Sequence, residues 1–297
     1  MRGSVVICLA LAAAAHAQQE EAPPSPFTGG LLICSPNSPG TPEAARPVME
    51  RLGSYLATRL GASCQPVYFN RAAAAREWIE KSPPRFAILS LDLWLRWREE
   101  LSLQPIAQAE RAGKTGERLH VVVRDPSSIR SLADLSAGVE GRRAVIWSSH
   151  LEDARFATRV AFAGALAAEG EQSRVQLLPT HQPLKLLRRL KAGDPFEGQP
   201  VDAVVVDDAV WTALEQVPDL ARALREVHVT EPLPTPPVVA FPSASSEERA
   251  KLVRVLQSMR DDPEGKDLLA TLQVSGFRGP DEPALQAAVD RYAQAAR

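Results

Sequence analysis

The stretch "AVIWSSHLED" (144–153) joins an apolar run to a hydroxyl-rich turn. Trp147, Ser148, Ser149 and His150 sit at the join, with Glu152 and Asp153 just beyond it. Such a join can hold a nucleophile, an anion cradle made of helix N–H groups, or an ordinary helix cap. A nucleophile elbow needs small residues around its serine. Here Ile146 and His150 flank Ser148, and Trp147 and Leu151 flank Ser149. A triad of Ser148, His181 and Asp207 can be drawn, but nothing in the spacing requires the three to meet. The pattern favours a cap and no catalysis. One of Ser148 and Ser149 would be the N-cap of a helix running from about Leu151 to Ala168, and if Ser149 caps, Glu152 reaches back from the third helical position. The second serine is then left for a ligand. Glu152 and Asp153 would partly fill the positive helix end, which weakens the case for a multiply charged anion there.

Further candidates stand at the ends of other apolar runs. Ser35, Asn37 and Ser38 follow "LLIC", Ser90 and Asp92 follow "FAIL", His181 follows "RVQLLPT", and Asp207 and Asp208 end "VDAVVVDD". Turn chemistry accounts equally well for "SPNSPG", and one of the two aspartates is expected to cap the helix beginning at Ala209. A carboxylate left in a pocket repels dianions and accepts from an amine or hydroxyl. That points to a zwitterionic, amine-bearing or neutral polar ligand. Trp94 and Trp147 offer either stacking surfaces or core packing. His120, His150, His181 and His228 show no metal-site spacing, so neither a metal nor another cofactor is expected. Lys185, Arg188, Arg189 and Lys191 form a basic helix face, read as solvated, with a receptor contact as the alternative.

The elements that must position these residues alternate between strand-like and helix-like. From Leu31, runs such as "LLICS", "CQPVYFN" and "RFAILSLD" are separated by helical stretches such as "PEAARPVMERLGSYLATRLG". Strands separated by helices read as βαβ units with a mostly parallel sheet. The alternation pauses, "ERLHVVVRDP" supplies one strand, and a second α/β block begins at "AVIW". After the proline-rich "EPLPTPPVVAFP", three helices finish the chain. The expected architecture is two α/β lobes joined by two crossing strands near Val121–Arg124 and Pro236–Val239. The first lobe comprises residues 31–122 with 237–297, and the second comprises 123–236. Ligands of open parallel sheets sit beyond the carboxyl ends of the strands, where every candidate above lies.

The N-terminus, "MRGSVVICLALAAAAHAQ", reads as a secretion signal cleaved near Ala17, followed by a disordered tether over 18–30. Cys8 lies too early in the apolar run to serve as a lipid anchor. Removal of the signal leaves 33 basic and 36 acidic residues, a net charge of −3. That balance argues against nucleic acid and against an anionic membrane as partners. Cys34 and Cys64 fall about four residues out of step on neighbouring strands, roughly 13 Å apart and beyond the ~7 Å a disulfide tolerates. Two buried thiols are expected.

Order and spacing along the mature chain resemble one known family. "SIRSLADLSAGVEGRRAVI" (128–146) is similar to the entry of the second lobe in phosphate/phosphite/phosphonate-type periplasmic solute-binding proteins. "VDAVVVDDAVW", "MERLGSYLATRLG" and "DPEGKDLLATLQVSGF" resemble a strand, the first helix and the C-terminal helix pair of the same proteins. The resemblance implies a type-2 periplasmic-binding fold whose lobes close on a small solute, a periplasmic or secreted monomer, and an ABC permease as partner. One departure stands out. Family members that bind phosphonates open the second-lobe helix with a Ser-Thr-Ser-Gly type turn, whereas this chain has Ser148-Ser149-His150-Leu151-Glu152-Asp153. Loss of the transport ligand would convert the same fold into an interaction module for a sensor kinase or chemoreceptor.

Overall fold

The computed structural model describes residues 30–38, 40–170 and 172–294. The expected signal, its cleavage near Ala17 and the tether up to residue 29 lie outside these residues.

The first sheet is built from β1 (Leu31–Cys34), β2 (Pro66–Phe69), β3 (Phe86–Leu89), β4 (Gln104–Glu110), and two late strands, β12 (Pro237–Ala240) and β13 (Gly276–Arg278). Its order is β13-β4-β12-β3-β1-β2. The helices of this lobe are α1 (Pro42–Leu60), α2 (Ala72–Lys81), α3 (Leu91–Trp97), α9 (Ser246–Ser258), α10 (Pro263–Thr271) and α11 (Glu282–Ala293). The boundaries of α1 follow from its sequence. Thr41 accepts from the Ala44 N–H, Pro42 sits in the first turn, and Gly61 adopts φ 66° to return its N–H to Ala57.

The second sheet has the order β10-β6-β9-β7-β8. Its strands are β6 (Leu119–Arg124), β7 (Ala144–Ser148), β8 (Val175–Pro179), β9 (Ala203–Asp207) and β10 (Leu224–Val229), with helices α4 (Leu132–Ala137), α5 (Ala154–Phe156), α6 (Pro183–Ala192), α7 (Asp208–Glu215) and α8 (Pro218–Ala221). Both sheets are mixed, not mostly parallel. Each has a parallel block, β2-β1-β3 or β8-β7-β9, extended through antiparallel pairings. The reason is connectivity: β6 and β12 enter directly from the other lobe without a crossover helix, so they start at the carboxyl ends of the parallel strands. The register shows this, with Leu119 opposite Asp207 and Val238 opposite Ile88.

The crossing itself lies earlier than Val121–Arg124 and Pro236–Val239. β6 is wholly a strand of the second sheet and β12 of the first, so a boundary at 122/123 falls inside β6. The connecting segments are 111–118 and 230–236, where β5 (Gly116–Glu117) pairs with β11 (Leu233–Pro234). The Gln108 carboxamide donates to both Thr115 and Thr235 carbonyls at 3.1 Å, tying the two passes together.

Cys34 and Cys64 are free and buried. The largest apolar cluster is continuous across the lobes, combining Cys34, Leu91 and Trp94 with Leu151, Phe156 and Val160, and with Leu285 and Ala288 of α11.

The expected helix from Leu151 to Ala168 is not formed. Asp153, not Ser149, is the N-cap, accepting from the Arg155 N–H at 2.8 Å. Only α5 and a π-helical turn (Ala157–Ala161) follow. The chain then turns at Ala163 and Gly164, with φ 48° and 85°, which no helix accommodates.

Candidate functional site

Lobe contact occurs at the carboxyl ends of β1, β3, β7 and β9. Asp207 ends β9, caps α7 by accepting from the Val210 N–H at 2.8 Å, and presents its other oxygen to an imidazole and a guanidinium. His150 Nε2 lies 3.4 Å away and Arg111 Nη1 3.8 Å away. Arg111, on the first connecting segment, also pairs with Glu117. Burial pushes the Asp207 carboxyl upward, but His150, the Val210 N–H and Arg111 outweigh it and hold the group well below the ordinary carboxylate range. The result is a chain of polar contacts, Glu117–Arg111–Asp207–His150, across the end of β9.

From the first lobe come Asn37, Ser90 and Asp92. Asn37 is buried with φ 60° and donates to Glu152 of the second lobe at 3.4 Å. Asp92 is buried, and loss of hydration raises its pKa despite Ser90, Arg96 and the Leu93 N–H, with Asp153 adding repulsion. The Cys34 thiol is pushed up by burial and then by Asp92 and Glu152. These mutual fields place Cys34, Asp92, Glu152 and Asp153 around one region. Ser35 and Ser38 bond each other through their hydroxyls at 2.7 Å.

Other expected residues go elsewhere. Trp147 belongs to the core on the far face of the second sheet, its indole N–H bonded to the Pro200 carbonyl at 3.0 Å and its ring edge-on to Phe196. Ser148 is fully buried, and its hydroxyl accepts from the His150 N–H at 2.9 Å. Ser149 is half-buried beside it. Asp208 leaves the region to accept from the Arg118 N–H and to meet His120, which stacks on Trp211. His181 is exposed on the rim after β8. Trp94 is buried in the shared apolar cluster.

Arg111, Glu117 and Tyr292 join the site although sequence reading did not select them. Arg111 could have been suspected only from its place before the crossing. Tyr292 is 139 residues from its partner Asp153, to which it donates at 2.7 Å.

A concavity of about 440 Å³ lies at the opposite, amino-terminal ends of the second sheet. Open α/β sheets do not place ligands there, and its Arg142 is already bidentate to Asp202 at 2.7 and 2.8 Å. Among the described residues no group of three or more His, Cys, Asp or Glu is arranged to hold a metal ion. None of the described helices is long and apolar enough to cross a membrane.

A family model described as "ABC transporter, phosphonate, periplasmic substrate-binding protein" matches residues 196–284. No curated protein matches the chain. Among solved structures, a Xanthomonas citri protein bound to chloride aligns with TM-score 0.68 at 17% identity, over 89% of this chain and 99% of its own. A Pseudomonas aeruginosa binding protein component of an ABC phosphonate transporter gives 0.64 at 16%, over 90% and 88%. PhnD1 of Prochlorococcus marinus, in complex with methylphosphonate, gives 0.63 at 12%, over 88% and 96%. At these identities the structures share a fold with this chain, the two-lobed periplasmic-binding architecture. The family match spans the end of the second lobe and most of the returning part of the first, and the solved structures share the fold over nearly the whole chain, so the chain is similar in fold to periplasmic substrate-binding proteins of phosphonate-type ABC transporters.

Proposed function

We propose that the chain captures a small anionic solute that also carries an amine, between its two lobes, and delivers it to a membrane permease in the periplasm. The observation that carries this reading is the contact of the Asp207 carboxylate with both Arg111 and His150 at the lobe junction. His150 and Arg111 can accept an oxyanion as a third partner, while Asp207, flanked by both, can accept from an ammonium. Asn37, Ser35, Ser38 and Ser149 supply neutral donors around them. A dianion alone would face Glu152, Asp153 and Asp207, whose repulsion an ammonium on the solute offsets. Binding across both lobes stabilises the closed arrangement by its differential affinity for that state. No bond is made or broken.

The test is thermal unfolding of the mature protein with phosphate, phosphite, alkylphosphonates, aminoalkylphosphonates, sulfate and amino acids. A solute at 100 times its Kd adds about 2.7 kcal/mol, a shift of a few degrees at this size. Aminoalkylphosphonates are expected to outrank their alkyl counterparts. Equal shifts for both would remove the amine from the reading, and no shift with any of the panel would overturn it.

A further inference from the structure

The three carboxylates on the rim of the second lobe share a property beyond charge: each is engaged by a group from outside that lobe. Glu152 accepts from Asn37 after β1, Asp207 faces Arg111 on the connecting segment, and Asp153 accepts from Tyr292 near the end of α11. The last contact is the most elaborate. α11 is anchored to the first lobe at its start, where the Asp281 N–H donates to Gln108 at 2.9 Å. Its far end lies on the second lobe. There the Arg155 guanidinium stacks over the Tyr292 ring at 4.5 Å and its Nε donates to the Tyr292 carbonyl at 3.1 Å. Arg159 donates to the Tyr292 and Gln294 carbonyls. Glu169 holds Arg159 in place through two bonds, at 2.9 and 2.5 Å. Two cations thus meet the final carbonyls of a helix, the end at which positive charge is favourable. Arg155 and Arg159 stand on either side of the step from α5 into the π-helical turn.

We propose that α11 is a strap between the lobes, and that Glu152 and Asp153 are positioning residues that set how readily the lobes close, through Asn37 and Tyr292. The two carboxylates that precede α5, Glu152 and Asp153, are thereby committed to lobe–lobe bonds. This rests on the two-lobed architecture and not on the identity of any solute.

Small-angle X-ray scattering of the mature protein without added solute tests it. Removing the phenol in Tyr292→Phe and weakening the front contact in Glu152→Gln should each shift the open-to-closed ratio about tenfold, the effect of one hydrogen bond to a charged group. The radius of gyration should rise in each single variant and further in the double variant, while the thermal midpoint stays within a few degrees. Asn37→Asp supplies an independent variant that leaves α11 untouched. It tolerates the left-handed backbone, places like charge against Glu152, and should open the protein as well. Scattering profiles superimposable on wild type for both the double variant and Asn37→Asp would overturn the proposal. Because no solute is present, that outcome is separate from a failure of the solute panel.

Discussion

The two lobes bring opposite kinds of surface to their junction. The first contributes neutral donors and one buried acid, Asp92, packed beside Cys34, Leu91 and Trp94. The second contributes acidic side chains with fixed partners, Asp207 between His150 and Arg111, and Glu152 and Asp153 bonded outward. The difference follows from what each strand end is joined to. In the second lobe β9 leads straight into a helix capped by its own last residue, so Asp207 is oriented by backbone bonds before any ligand arrives. In the first lobe β3 leads into the mostly buried α3, which carries Asp92 into the apolar cluster. One side is preorganised and charged. The other is a dry wall.

Substitutions can break this contrast. The largest effect is expected for Asp207→Asn, which keeps the cap but leaves His150 and Arg111 facing a neutral group. About 3 kcal/mol of stability should be lost, read from urea unfolding. The sign of its pH dependence is fixed by the depressed folded pKa. The advantage of wild type is present above the ordinary aspartate value of about 3.9 and is lost as pH falls through the lower folded value, so the two curves converge only in acid. Ser148→Ala comes next, at about 1 kcal/mol, because the half-buried His150 N–H loses its acceptor. Any loss of solute affinity should come through a displaced His150. Unchanged unfolding would show that the His150 N–H finds another partner. The smallest and opposite effect is expected for Asp92→Asn. Burial raises the folded pKa of Asp92 above its unfolded value, so wild type loses stability as pH rises through that window. The amide should therefore be slightly stabilising at neutral pH, with the gain vanishing below the ordinary aspartate pKa. Destabilisation at neutral pH would show that Asp92 is ionised and paired with Arg96.

The parallel blocks were legible because their apolar runs are uninterrupted and their helices begin with Thr41 or Asp207 and end with Gly61 or Gly193. β4 was not, since "QPIAQAE" mixes polar and apolar residues and gains its identity from β12 and β13 on either side. The face of Trp147 was hidden for a different reason. All five residues of β7 are buried, so alternation gives no hint of which side meets the junction. The helix after Ser149 was overestimated because Ala-rich "AFAGALAA" has helical propensity, while Gly164 turns the chain. Convergence on Asp153 was beyond reach: Tyr292 arrives from another lobe, and no local spacing encodes that.

The way β12 enters the first sheet also bears on the order of assembly. The second lobe is continuous in the chain, closed at its base where the Leu119 N–H meets the Thr230 hydroxyl and the Thr230 N–H meets the Leu119 carbonyl, both at 3.0 Å. It is complete once Thr230 has been made. The first lobe begins earlier yet finishes later, because β12 lies between β3 and β4. Until residues 237–240 arrive, those two strands hold an unfilled slot with two unpaired edges, the kind of surface that recruits other chains. The lobe whose strands come first along the chain is thus the later to mature, and the interior of its sheet is sealed by a strand made only after the whole second lobe.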